Sequence, residues 1–369
     1  MKYIWQREDF PKYTYDPEPL APVTEQCLVL LGEVRGLISL LDKGAQEDLA
    51  LSRLSTEGSL SSRIEGVTIS PDELRSSLER QLGLAGETTH PQSRYVEGVA
   101  RLMILSLSDM GVPITAELLH DWHRALMEDR RDIYPGQWRS SPLPMQIVSG
   151  RIIGREEVHY EAPPSSRLDK MMGDFLSFCN SVTVESGSEA IRHSGICHLY
   201  FETLHPYEDG NGRVGRALAH HILARGLGQD IPISLSHAIE MDRATYYARL
   251  KEASVGTMDV TPWLLYWTET VRLALEETIS RIAFLRRRRD FIRRMSEHPL
   301  SERQIKVLHR MLEAGPEGFA GGMTPRKYAS LTRTSKATAT RDLAKLSEWG
   351  LLIPEGAGRS TAYRPALVE

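Results

Sequence analysis

The side chains best suited to chemistry in this 369-residue chain lie in one short run, His205-Pro206-Tyr207-Glu208-Asp209-Gly210-Asn211-Gly212-Arg213-Val214-Gly215-Arg216. Gly210 and Gly212 lack side chains, so backbone N–H groups can approach phosphate oxygens, and the unpaired N–H groups of a helix start add a favourable dipole. Asn211 between them can donate another hydrogen bond. Arg213 and Arg216 are three apart in a first helical turn, on one face, where two guanidiniums can clamp phosphate oxygens. Asp209 offers a hard oxygen ligand for Mg²⁺, and His205 can take a proton near neutral pH. A base, a metal ligand, a glycine-rich loop and two arginines this close together point to a polyphosphate site. Gly210 to Gly215 also spells a dinucleotide fingerprint, with Asp230 about twenty residues on. That fingerprint requires a preceding strand in a βαβ unit, and the chain shows no strand–helix alternation.

The elements that position this run are helical. Ile196, Leu199, Tyr200 and Leu204 form an apolar face that stops at Pro206, and Val214, Leu218, His221 and Ile222 begin another, so the run is a helix, a tight loop and the start of a second helix. Apolar residues at three- and four-residue steps predict helix from Thr24 to about Thr56, with a second helix from Leu60 to Glu65 ending at Gly66. Ser70-Pro71 reads as a further cap with proline at the first helical position. Helical periodicity recurs from Val96 to Met127, interrupted at Gly111-Val112-Pro113, and over 168–180, 190–204, 214–225, 243–253 and 260 to about 295. Between Pro135 and Pro164 the pattern becomes that of a β-hairpin, Met145 to Val148 and Arg151 to Ile153 with Val158-His159-Tyr160, turning at Ser149-Gly150. The fold class is mainly α with a short β-hairpin.

The whole chain sets the bounds. Its length suggests two or three domains, one of them large. With 41% hydrophobic and 25% charged residues and a formal net charge of −4, nothing demands nucleic acid or membrane. Cys27, Cys179 and Cys197 form no CxxC pair and read as isolated core positions, without a zinc site or disulfide framework. The amino terminus is aromatic and charged, unlike a signal peptide, and no run approaches the roughly 18 apolar residues of a membrane span, so a reducing cytoplasm is expected. The last block, from about Leu300, carries 11 Lys/Arg against 7 Asp/Glu. It follows the arginine run 286–289, and a domain boundary is expected near Pro299.

The run from His205 to Arg216 strongly resembles the core motif of the Fic family, HPFx(D/E)GNGRxxR, with Tyr207 in place of the usual phenylalanine. The resemblance covers roughly the first 280 residues. It implies a helical catalytic core over 96–298, preceded by a helical region, 1–95. It also implies transfer of AMP from ATP to a protein hydroxyl: His205 as general base, Asp209 as the Mg²⁺ ligand, Asn211, Gly212 and Arg213 at the α- and β-phosphates, and Arg216 at the γ-phosphate, with Gly210, Val214 and Gly215 completing the nucleotide-binding loop. Pro135-Gly136-Gln137-Trp138-Arg139 and the hairpin to Pro164, with Ile147, Val148, Val158, His159 and Tyr160, resemble the family's flap, and the hairpin would pin an extended target segment by strand addition. Tyr246 and Tyr247 resemble its adenine-side aromatics.

Ser61-Ser62-Arg63-Ile64-Glu65-Gly66 resembles the family's inhibitory motif, which implies that Glu65, one helical turn from Ser61, occupies Arg216 and keeps it from the γ-phosphate. Residues 299–369 resemble a winged helix: Tyr328 to Leu331, a turn, Ser335 to Leu346, then a basic, glycine-rich wing from Gly356 to Arg364. The partners implied are ATP, a protein bearing a Ser, Thr or Tyr hydroxyl, including this chain itself, a second copy of the chain, and DNA or protein at the winged helix. Two alternatives stay open: removal of AMP at the same site, and a DNA-binding regulator whose core only senses nucleotide.

Overall fold

The computed structural model describes residues 2–84, 93–108, 110–149, 157–181, 186–228, 231–315, 318–356 and 361–367. Of the positions singled out above, residues 150–153 of the hairpin, Asp230 and residues 357–360 of the wing lie outside that set, as do the side chains of Val148 and His159. The chain divides into two compact units, Met1–Glu276 and Glu277–Glu369.

In the first unit, α1 (Ala21–Ser39) is followed by α2 (Lys43–Ile64), which Asp42 starts by accepting from Ala45 N at 2.9 Å. The helical break therefore falls at residues 40–42, and α2 runs through Leu60 without the second start that the apolar spacing predicts: a capped aspartate stops and restarts a helix where periodicity alone does not. α3 (Pro71–Gln81) opens with its proline, and α4 (Arg94–Leu105) and α5 (Ala116–Met127) flank the Gly-Val-Pro interruption. β1 (Gln146–Ser149) and β2 (Glu157–Glu161) pair antiparallel, Ile147 opposite Tyr160 and Val148 opposite Val158, with a register shift between Ile147 and Val148. α6 (Ser165–Ser181) leads to α7 (Gly187–Leu204) and α8 (Asn211–Gly226), the helices on either side of the phosphate-type loop. The short α9 (Leu235–Met241), capped by Ser234, precedes α10 (Arg243–Val255) and the long α11 (Thr261–Ser296), within which the two units divide.

One core joins the amino-terminal helices to the helices around the loop. Trp5, Leu51, Leu54 and Leu74 pack in the same cluster as Trp122, Phe175, Tyr200, Phe201, Tyr207 and Leu218, and Trp5 Nε1 donates to Glu161 O at 2.8 Å, fixing the amino-terminal segment to β2. All three cysteines are buried and free, but two are not isolated: Cys179 of α6 and Cys197 of α7 bring their Sγ atoms to 3.4 Å.

The second unit contains α12 (Glu302–Leu312), α13 (Pro325–Thr332), α14 (Lys336–Glu348) and the antiparallel strands β3 (Leu352–Glu355) and β4 (Ala362–Pro365). Phe291 and Met295 of α11 pack with Val307, Leu308, Tyr328, Leu343 and Leu351 in its core. The unit therefore begins upstream of Pro299, because apolar residues on the arginine-rich stretch are part of that core.

Candidate active site

His205 ends α7 in the left-handed conformation, φ 46° and ψ 61°, which is uncommon for a residue with a Cβ and is held only where surroundings enforce it. Arg139 enforces it here. Its guanidinium, 5% exposed, donates from Nε to His205 O at 2.8 Å and from Nη2 to Pro163 O at 2.5 Å and Leu204 O at 3.3 Å, while Arg139 N donates to Pro206 O at 2.9 Å. One side chain thus satisfies carbonyls that a helix end leaves orphaned. Asn211 closes the loop: its Oδ1 accepts from Tyr207 N and its Nδ2 donates to Tyr207 O, both at 2.8 Å. The carboxamide expected to meet a phosphate therefore holds the loop itself. The Tyr207 ring is fully buried and stacks on His123 at 3.8 Å, so the residue that departs from the motif is a core residue. His123 Nδ1 accepts from Gly136 N at 2.8 Å, which leaves the proton on Nε2 to donate to Asp209 O at 3.0 Å.

Gly210, φ 82°, begins α8, whose start no side chain caps. The Glu65 carboxylate lies against it instead: Oε1 sits 2.1 Å from where a Cβ on Gly212 would be. Only glycine admits a carboxylate so close to a helix's first turn, where the dipole favours negative charge. The same Oε1 pairs with Arg216 Nη2 at 2.9 Å. Arg216, 1% exposed, also donates from Nε to Ser61 Oγ and from Nη2 to Ser61 O, each at 2.9 Å. Burial alone would lower the Arg216 pKa, but Glu65, with Tyr246 and Glu202 adding to it, outweighs burial and holds the guanidinium firmly charged. Glu65 is held in turn by the end of α2. Gly66, φ 82°, donates to Arg63 O and Val67 N to Ser62 O, both at 2.9 Å, a Schellman turn that aims the preceding residue. Arg213 turns elsewhere, to Asp209 Oδ1 at 3.2 Å and Tyr95 Oη at 2.9 Å.

His205, Glu65 and Gly212 line one cavity of about 680 Å³, with Glu202, Tyr246 and Tyr247, a size suited to a nucleotide-sized ligand. Tyr246 is buried and its hydroxyl lies 2.9 Å from His198 Nε2, whereas Tyr247 is half-exposed and donates to Ile64 O at 3.2 Å, beside Glu65. Ile147 and Tyr160 bring the hairpin to the same cavity. Tyr160 is buried and donates to Thr203 O at 2.6 Å, while Ile147 and Val158 are exposed. Burial foremost, with Arg139 adding to it, lowers the His205 pKa to about 4, so the imidazole is neutral at pH 7. Burial likewise raises the Glu202 carboxyl to about 8, Arg216 opposing and Glu65 assisting.

Asp209 is half-buried at the loop's edge. Burial pushes its pKa up, but Arg213, the Gly210 N–H and Arg130, the last at 2.6 Å, hold it below the ordinary carboxylate value. Among the described residues no cluster of three or more His, Cys, Asp or Glu side chains could hold a metal unaided. A single ionised carboxylate beside a phosphate-type loop fits Mg²⁺, which takes one or two carboxylates and completes its shell with water and substrate phosphates.

Residues 113–223, which include the whole loop, match the model of the Fic/DOC family. That stretch is a Fic/DOC-type domain. Ahead of its Fic domain, residues 3–84 match a domain of unknown function, DUF4172. The chain is 24% identical over 243 residues to the protein adenylyltransferase Fic of Aedes aegypti, a stretch that is 64% of this chain and 45% of that protein. It is 23% identical over 218 residues to a probable protein adenylyltransferase of Aquifex aeolicus, 58% of this chain and 60% of the relative. The chain thus spans about half the length of the first of these relatives and three-fifths of the second. In fold it is similar to the crystal structure of a Fic family protein from Desulfovibrio desulfuricans, with a TM-score of 0.55 and 21% identity over 96% of this chain and 98% of that one. No helix among the described residues is long and apolar enough to cross a membrane.

Three residues that shape the site have roles that the sequence does not announce. Arg139 and Glu202 are described above. Glu57, 3% exposed on α2, accepts from Ser234 Oγ at 2.8 Å and from Ser236 N at 3.0 Å and Oγ at 2.5 Å, anchoring α2 to α9. The spacing Glu57, Ser61, Glu65, each four apart on one helical face, is the signal that could have found it.

Proposed function

We propose that this chain transfers AMP from ATP to a protein hydroxyl and that Glu65 holds it in check. The reading rests foremost on the position of the Glu65 carboxylate, against Gly212 at the start of α8 and paired with Arg216. A carboxylate in that position satisfies the cationic contacts a terminal phosphate would otherwise take. With Glu65 withdrawn, Arg216 is free for the γ-phosphate, and the first-turn N–H groups of α8 with Arg213 meet the inner phosphates. Asp209 would hold Mg²⁺, which when bound neutralises phosphate charge.

His205, neutral at pH 7, accepts the proton of the target hydroxyl. The hydroxyl oxygen forms its bond to the α-phosphorus as the bond from that phosphorus to the bridging oxygen breaks, and pyrophosphate leaves with the electron pair. The site's contribution is positioning and charge stabilisation. The exposed Ile147 and Val158 offer apolar contacts to an extended target segment added alongside the flap.

Incubating the protein with α-labelled and, separately, γ-labelled ATP and Mg²⁺ tests this. Label from the α position alone is expected, weakly in the native protein and at least tenfold more strongly in Glu65→Gly, and absent from His205→Ala in that background. Label from the γ position would mean a kinase. Transfer no faster in Glu65→Gly than in the native protein would remove the brake, and a simultaneous loss of AMP removal there would assign Glu65 to hydrolysis instead.

A further inference from the structure

The second unit carries chemistry that the Fic site does not use. Glu277–Glu369 holds 18 Lys/Arg against 10 Asp/Glu, while the chain as a whole has a net charge of −4. Within it, α14 sorts its residues by face. Ala339, Asp342, Leu343 and Leu346 point into the core, and Lys336, Ala337, Thr340, Arg341, Ala344 and Lys345 form the exposed arc. The helix's one acidic residue before Glu348 faces inward and is held there. Asp342 pairs with Arg303 Nε at 2.6 Å and accepts from Tyr328 Oη at 2.9 Å. Its carboxylate is thereby removed from the exposed arc and held below the usual range: burial pushes it up, and Arg303 and Tyr328 outweigh that. Lys336 and Arg341 make no ion pair among the described residues. At 100° per residue, Ala337, Thr340 and Ala344 occupy the middle of the arc, with Lys336 on one flank and Arg341 and Lys345 on the other.

We infer that this face of α14 binds duplex DNA by seating in the major groove. A helix with its side chains is roughly 10–12 Å across and the groove about 12 Å wide, so a deep seat requires small residues along the middle of the face. The basic flanks then meet the phosphates on the two sides of the groove. Arg333, exposed in the turn ahead of α14, adds a fourth charge where the helix begins. A protein-docking face would be expected to carry apolar side chains along the middle of the arc. Here the charge matches a polyanion, and the excess of acidic residues over Met1–Glu276 confines the attraction to the second unit.

Fluorescence anisotropy of a labelled duplex of about 20 base pairs with the full-length protein tests this, with salt raised from about 50 to 200 mM. The native protein should bind at the low end and lose affinity linearly in log K against log salt. Lys336→Ala with Arg341→Ala should weaken binding at least tenfold and reduce the slope by about two, one for each phosphate contact removed. Ala344→Glu, which places a negative charge in the middle of the face and leaves the core untouched, should abolish it. No binding by the native protein at low salt would overturn the inference and leave the face to a protein partner. So would equal affinity and slope in both variants.

Discussion

Glu202 and His205 face each other at the end of α7, with Glu202 Oε2 3.9 Å from His205 Nδ1, and burial displaces both from their ordinary titration. The imidazole, lowered to about 4, stays neutral through physiological pH, so a base is present without being titrated into place. The carboxyl, raised to about 8, is protonated at pH 7 and ionises just above it. An anion arising beside Nδ1 makes the imidazole a stronger proton acceptor, because it stabilises the imidazolium that forms. AMP transfer measured in Glu65→Gly should therefore rise across a limb somewhat below pH 8, since removing Glu65 takes away one of the charges that raise Glu202. Adding Glu202→Gln should leave the rate at pH 6.5 within about threefold and remove that limb. An unchanged pH–rate profile would exclude Glu202 as the titrating group. His205, Asp209, Arg213 and Arg216 were legible in the sequence because polar residues crowd a glycine-rich loop. Glu202 was not, nor was the role of Arg139 at the helix end. An acid on a helix or an arginine in a loop reads as solvated surface, and only packing reveals a buried acid or a guanidinium spent on helix-end carbonyls. Asn211 shows the opposite effect, a residue legible as a phosphate donor whose carboxamide the fold uses on itself.

At the scale of the elements, the loop between α7 and α8 rests on histidines kept neutral. His123 of α5 is lowered to about 4, His198 of α7 to about 3 and His205 to about 4, each chiefly by burial. Unfolded, each would titrate near 6.5, so between those limits the unfolded chain binds more protons and stability rises with pH. Stability from these groups is therefore lost as pH falls from about 6.5 toward 4. Glu202 acts in the opposite sense: its folded pKa lies above its unfolded one, so its contribution is full at low pH and is lost as pH rises toward 8. Three groups outweigh one, and Tm should fall steadily from pH 7 to pH 5. A Tm that is flat or rising over that interval would contradict the neutral assignment. The helices around the loop were legible because each spans several turns of clear apolar period. α9, of seven residues, is too short to show one. The division between α1 and α2 lay in one capping aspartate within an otherwise continuous apolar period, a local effect that overrides the pattern.

At the scale of the whole molecule, where the two units divide decides which fragments will fold. The composition of the last block and Pro299 suggest a cut near Leu300, but that cut leaves Phe291 and Met295, 1% and 5% exposed in the intact chain, without Val307, Leu308, Tyr328 and Leu343, the residues they pack against. Each large apolar side chain so exposed forfeits roughly 1.5–3 kcal/mol of burial and contributes to an exposed apolar patch that favours association. A cut after Glu276 avoids this. It keeps the part of α11 that the first unit uses, where Trp263 Nε1 donates to Gly195 O at 2.8 Å and Trp267 Nε1 to Ser194 Oγ at 3.0 Å, both on α7. It also keeps every residue of the Fic site. The fragment 1–276 should therefore be monodisperse by light scattering, and with Glu65→Gly it should transfer AMP within a few fold of the full chain. The fragment 1–299 should associate at equal concentration and show the lower onset of thermal aggregation. If instead 1–299 is the better-behaved of the two, residues 277–299 are integral to the first unit, and Phe291 and Met295 are not the anchors that join this stretch to the second.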